Sequence, residues 1–189
     1  MMRLLVAATI LGVCAMSQAD EKKVPAALNF KMKDIDGKEL NLSKFQGKVV
    51  MFVNVASKCG LTPQYEQLQE LHDKYAKKGL VIIGVPANQF NAQEPGTNAE
   101  IKKFCADKYN VKFVMLSKVV VKGKGICPLY KHLTEKATNP KSSGVIGWNF
   151  TKFVIGRNGD IVARFEPRVK PDDAKVTKAI EDELKKKEK

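Results

Sequence analysis

The sequence predicts an α/β domain built on a mixed central sheet flanked by helices. Residues 49–55 and 80–85 are almost unbroken apolar runs, the pattern of strands covered on both faces. Between and after them, apolar residues recur at helical spacing, so strand and helix alternate through the first half of the chain. Farther on, residues 150–155 and 160–165 read as two short strands joined through Asn158-Gly159, a hairpin signal that adds an antiparallel pair.

Taken in order, residues 26–42 alternate polar and apolar around Asp34-Ile35-Asp36-Gly37-Lys38, and the Asp-Gly pair predicts a β-hairpin ahead of the main sheet. Residues 43–46 suit a single helical turn closed by Gly47. The strand at 49–55 is followed by a helix from Pro63 to about Lys77, with Tyr65, Leu68, Leu71 and Tyr75 on one face. Thr62 is a good N-cap, Pro63 a good first helical residue, and Gly79 a stop. The strand at 80–85 ends at Pro86, and the loop that follows carries four amides, Asn88, Gln89, Asn91 and Gln93. A helix over about 98–109 places Ile101, Phe104 and Cys105 on one side. A further strand lies within 113–121, a short helix over 128–133 and a polar loop over 135–147. After the hairpin, a closing helix over about 172–187 carries Asp172 and Asp173 in its first turn and an apolar stripe of Val176, Ile180 and Leu184. This order, with a cysteine at the first strand–helix junction, points to a thioredoxin-like fold with an extra N-terminal β-hairpin.

Residues 1–19 read as a secretory signal peptide. Arg3 precedes an apolar stretch too short to span a bilayer comfortably, and Ser17-Gln18-Ala19 offers small residues for cleavage before Asp20. An uncleaved anchor is the alternative, and Leu11-Gly12-Val13-Cys14 matches a lipoprotein box only loosely because Val13 is bulky. Residues 20–189 then form one domain, with no internal repeat or linker, in a secreted or periplasmic protein. The formal charge is +13, from 33 basic and 20 acidic side chains. The lysines are dispersed and no aromatic-interleaved basic motif is present, so nucleic acid is not the expected partner; peripheral contact with an anionic membrane is compatible with the charge.

Of four cysteines, Cys14 falls in the leader, leaving Cys59, Cys105 and Cys127. An odd number argues against a structural disulfide framework and fits one working pair plus a spare thiol. His72 and His132 are isolated on expected helices, with no metal-ligand spacing, and neither a metal nor a cofactor is expected. Cys59 is the candidate reactive thiol. The strand end lifts it to the rim of the sheet, and the N-terminus of the next helix favours a thiolate.

Three strings resemble the glutathione peroxidase family: 54–65 (Asn-Val-Ala-Ser-Lys-Cys-Gly-Leu-Thr-Pro-Gln-Tyr), 86–96 (Pro-Ala-Asn-Gln-Phe-Asn-Ala-Gln-Glu-Pro-Gly) and 148–153 (Trp-Asn-Phe-Thr-Lys-Phe). The resemblance extends over nearly all the mature sequence and implies that Cys59 is the peroxidatic residue, with Gln93, Trp148 and Asn149 completing a catalytic tetrad. Amide and indole N–H groups can stabilise a thiolate and a leaving oxygen without becoming charged. The resemblance also implies that Cys105 resolves the Cys59 sulfenic acid, as in the monomeric, phospholipid-hydroperoxide-type branch that uses thioredoxin. A disulfide needs Cα atoms within about 7 Å, so a helix-borne Cys105 is expected to require local unwinding.

Departures from the family are informative. Ala87 stands where a cysteine is common. Leu61 and Gly147 occupy positions that are basic in glutathione-using relatives, and residues 135–147 are too few for the insertion through which tetrameric relatives assemble. A monomer recycled by a thioredoxin-like protein is the reading, reducing hydrogen peroxide and organic or lipid hydroperoxides. Glutathione as donor and a peroxide sensor that oxidises a partner protein are the alternatives. Cys127 matches no family role. A disulfide oxidoreductase would want Cys-x-x-Cys, and Thr62 fills its second position.

Overall fold

A computed structural model describes residues 23–187, so the leader expected at 1–19 lies outside the described residues. A hairpin of β1 (Lys31–Lys33) and β2 (Glu39–Asn41) precedes the main sheet and pairs Lys31 with Asn41. Gly37, at φ 80°, supplies the left-handed step of its turn. The main elements follow as β3 (Val49–Val55), α1 (Gln64–Tyr75), β4 (Leu80–Pro86), α2 (Asn98–Tyr109), β5 (Val114–Met115), α3 (Pro128–Thr134), β6 (Lys152–Ile155), β7 (Ile161–Phe165) and α4 (Ala174–Leu184). The five-stranded sheet runs β5-β4-β3-β6-β7. β3 is parallel to β4 and antiparallel to β6, giving the mixed sheet of a thioredoxin-like fold.

β3 is the centre of this architecture, and all seven of its residues are buried. Its alternate side chains serve two apolar cores. Val49, Met51, Val53 and Val55 pack with Leu68 and Leu71 of α1, Ile101 of α2 and Val176 and Ile180 of α4. Val50 and Phe52 pack on the other face with Leu129 and Leu133 of α3 and with Leu40 of the hairpin. The period-two pattern of an apolar strand thus fixes which helices lie on which side.

Three elements depart from expectation. Residues 26–28 form a 3-10 turn in place of extended chain. The strand expected within 113–121 is only two residues long, since its ladder with β4 covers only Val114 and Met115. Leu116 and Val119 donate to Gly84 and Pro86 of β4, while on the hairpin side the Ile35 N–H donates to Met115 O and the Ser117 N–H to Lys33 O. The hairpin therefore covers what would be an open sheet edge. Asp173 is the N-cap of α4, accepting the Lys175 N–H at 2.8 Å, so the acids precede the first turn.

Candidate active site

β3 delivers the chain to the rim of the sheet, and a tight turn carries Cys59. The buried Thr62 hydroxyl donates to Ala56 O at 2.8 Å and accepts the Cys59 N–H at 3.0 Å. The Thr62 N–H returns to Cys59 O at 3.0 Å. Thr62 therefore closes the cysteine turn and does not cap α1, contrary to the sequence reading. Nor is Pro63 the first helical residue: it is the N-cap, and α1 begins at Gln64. The N–H groups of Gln64, Tyr65 and Glu66 already bond to the carbonyls of Leu61, Thr62 and Pro63, which leaves a threonine little to cap.

The Leu61 N–H donates to Cys59 Sγ at 3.4 Å, so a backbone donor is aimed at the sulfur. Cys59 is 8% exposed and opens into a cleft of about 740 Å³. Gly60, Leu61, Gly147, Trp148, Glu166, Pro167 and Arg168 line the rest of it. Cys59 is thus mostly buried yet lines an open cleft.

The amide loop docks against this turn through the Lys58 N–H, which donates to Gln93 O at 3.0 Å. Asn91 and Ala92, just before Gln93, have φ values of 50° and 49°. A β-carbon in that region costs about 1–2 kcal/mol, strain of the kind held at functional sites. The fully buried Asn149 donates through Nδ2 to Gln93 Oε1 at 2.9 Å. Oε1 is thereby used as acceptor, and the Gln93 amide N–H groups have no acceptor among the described residues. The same holds for the indole N–H of Trp148, the single tryptophan of the chain. Trp148 is seated by its own backbone: its carbonyl accepts from Asn54 Nδ2 and from the Thr151 hydroxyl, both at 3.1 Å.

Cys59 and Trp148 therefore share one cleft, and Gln93 and Asn149 share one hydrogen bond tied to the cysteine turn through Lys58. Cys105 lies elsewhere. It is 2% exposed on α2, packed in the apolar core, and the three cysteines among the described residues, Cys59, Cys105 and Cys127, are all free thiols. Burial pushes its thiol up to about 11; the Tyr65 hydroxyl pulls against this and the Glu94 charge adds to it. Cys127 is the N-cap of α3, and burial raises its thiol too. His72 and His132 lie on α1 and α3 and are half-buried, with His132 against Phe30 at 5.6 Å between ring centroids.

Several site residues escaped the sequence reading. Asn54 accepts the Thr151 N–H at 3.1 Å and so secures the Trp148 arm. Glu94, 1% exposed, sits behind the cysteine turn in a smaller cleft with Ser57, Lys58 and Phe104, and burial raises its carboxyl. Lys152 is fully buried in β6. Asn54 and Lys152 carried a signal, being polar residues inside or beside an apolar run, where an unpartnered group would be costly; Glu94, in a polar loop, carried none.

A glutathione peroxidase family model matches residues 27–134, which include Cys59, Gln93 and Cys105 and stop short of Trp148. The chain is 53% identical over 150 residues to the hydroperoxy fatty acid reductase Gpx2 of Synechocystis, covering 79% of this chain and 94% of that protein. It is 43% identical over 168 residues to the thioredoxin/glutathione peroxidase BtuE of Escherichia coli, covering 79% and 92%. The crystal structure of apo Trgpx superimposes with a TM-score of 0.68 at 32% identity, over 85% of this chain and 96% of that one. A thioredoxin-family thiol:disulfide interchange protein from Chlorobium tepidum reaches 0.60 at 18% identity, over 88% and 99%, a likeness of fold alone.

Proposed function

The chain belongs to the glutathione peroxidase family and is a peroxidase, an oxidoreductase that reduces hydroperoxides; from this premise we propose that its cycle runs through a Cys59 sulfenic acid resolved by Cys105. The Cys59 thiolate attacks one oxygen of ROOH. The S–O bond forms as the O–O bond breaks, sulfur loses two electrons, and the departing alkoxide takes a proton to become ROH. The Cys105 thiol then displaces the hydroxyl of Cys59–SOH, giving a disulfide and water. A dithiol protein of the thioredoxin type reduces that disulfide by exchange.

The observation that carries this reading is the accessible Cys59 sulfur, which accepts a backbone N–H in the same cleft as a Trp148 indole N–H that has no acceptor among the described residues. Gln93 donates its amide to the sulfur or to the leaving oxygen. The buried Asn149 acts through Gln93 by occupying Oε1 and turning the N–H groups outward. Gln93→Ala is expected to slow the first oxidation by about 10²–10³-fold in a stopped-flow assay, the usual effect of losing one preorganised donor. An unchanged rate would remove Gln93 from the mechanism.

Thioredoxin is favoured over glutathione because Leu61 and Gly147 line the cleft where cations would grip a tripeptide, although Arg168 supplies one. The deciding experiment compares steady-state peroxide consumption with each donor. Sustained turnover with neither, but oxidation of a partner protein, would instead mark a peroxide relay. Hydrogen peroxide and organic or lipid hydroperoxides are the proposed substrates. The protein acts as a secreted or periplasmic monomer, a reading supported by the leader and by the shortness of the 135–147 loop; sedimentation velocity tests the second point. Contact with anionic membranes falls to a basic cleft formed by Lys48, Lys77, Lys78, Arg157, Lys186 and Lys187, and vesicle co-sedimentation with and without anionic lipid tests it.

A further inference from the structure

The Lys152 side chain is fully buried, and its hydrogen bonds all go to uncharged groups. Its Nζ donates to Gln64 Oε1 at 2.5 Å, to Val169 O at 2.6 Å and to Pro167 O at 3.2 Å. Gln64 adds a second tie, donating through Nε2 to Pro167 O at 2.8 Å. The Cys59 cleft has three wall segments: the cysteine turn, the Gly147–Trp148 arm and the loop Glu166 to Arg168. Each contributes to this knot. Gln64 opens the helix that leaves the cysteine turn, Lys152 begins the strand that leaves the Trp148 arm, and Pro167 is itself a wall residue.

We propose that Lys152 is a positioning residue of the peroxidase reaction: its ammonium group holds the three walls of the Cys59 cleft at fixed separation and so governs which hydroperoxides reach the sulfur. This rests on the reading of Cys59 as the reactive thiol. A buried ammonium is costly, and an apolar side chain would fill a strand position at less cost, so stability alone does not account for lysine here. What lysine supplies is three donors at one point. An ammonium satisfies all three oxygens, whereas a neutral amine has two N–H groups and a lone pair, and must release one.

Burial pulls Lys152 down to about 7, so the knot titrates near neutrality. The charged groups on the surrounding elements are engaged elsewhere or exposed. Glu66 of α1 is exposed, as are Arg168 and Lys170 of the loop, and Arg164 of β7 pairs with Glu166 at 2.9 Å. Toward Lys152, β3 presents Val53 and β7 presents Phe165 as register partners. Below the titration point the ammonium holds Pro167 O, Val169 O and Gln64 Oε1 together, which brackets Arg168 of the wall; above it, one of the three bonds is lost.

The experiment uses the full chain and two readouts. The first is the ratio of Cys59 oxidation rates by cumene hydroperoxide and by hydrogen peroxide in single turnover. The second is acrylamide quenching of Trp148, which is the only tryptophan and requires no Cys59 chemistry. In the wild type, the ratio should change by about tenfold and quenching should rise as pH passes through neutrality, since small displacements of a substrate site have effects of that order. Lys152→Met should show the high-pH ratio and quenching at every pH. Gln64→Glu places a carboxylate against the ammonium and should move both transitions up by about one pH unit or more. A folded Lys152→Met with wild-type ratio and quenching would overturn the proposal. If that variant does not fold, unmoved transitions in Gln64→Glu would do so. Absence of any Cys59 oxidation would count against the peroxidatic role instead, leaving the quenching to decide on Lys152.

Discussion

Cys59→Ser should lower peroxide consumption by more than about a thousandfold while leaving the fold intact, because removing a nucleophile costs orders of magnitude whatever surrounds it. The turn that presents Cys59 is held by Thr62 through Ala56 O and the Cys59 N–H, contacts that do not involve the sulfur. The serine hydroxyl occupies the same place but is a far weaker nucleophile than sulfur toward the O–O bond. Stopped-flow oxidation and circular dichroism measured together check the point. Substantial activity in a folded variant would move the chemistry to Cys105 or Cys127.

Cys105→Ser should separate the two halves of the cycle. The first oxidation should proceed at the wild-type rate, since Cys105 does not line the Cys59 cleft, while thioredoxin-driven turnover should fall to background. The proposed resolving thiol is 2% exposed and pushed up to about 11 by burial, so loosening of α2 is expected to precede its attack. α2 is suited to this. Only Ile101 and Cys105 of its twelve residues are buried; its first turns are tied by the Thr97–Glu100 capping box, by Asn98 Oδ1 accepting the Lys118 N–H and by the Lys102–Asp36 ion pair, all at or near the surface. Mass spectrometry should find a Cys59–Cys105 disulfide in the oxidised wild type, with faster amide exchange across α2 than in the reduced protein. Persistent cycling in Cys105→Ser would transfer the resolving role to Cys127 or to an external thiol.

The long apolar strands, the helix stops at Gly79 and Gly159's hairpin were legible in the sequence because each rests on local chemistry. Periodicity, left-handed glycine and turn pairs act within a few residues. The placement of Cys59 at the sheet rim followed from the same logic. What could not be read was set by long-range partners. Thr62 has the right type for a helix cap, but its hydroxyl is claimed by Ala56 and Cys59. β5 is two residues long because its pairing with β4 extends over only two positions. The Gln93–Asn149 bond spans 56 positions and the Lys152–Gln64 bond 88, and no pattern along the chain encodes either. The resemblance to a family supplied the identities of Gln93, Trp148 and Asn149 as candidates; the structure adds that Asn149 Nδ2 bonds to Gln93 Oε1.

The sheet also gives the molecule a polarity. Cys59 follows the C-terminal end of β3, whereas Lys48 and Gly79 of the basic cleft precede the N-terminal ends of β3 and the parallel β4. A molecule adsorbed by its lysines to a negatively charged sheet of headgroups would therefore stand with its chemistry pointing away from that layer. It would intercept oxidants arriving from the surrounding fluid, and a lipid still embedded in the bilayer beneath would lie a full strand length out of range.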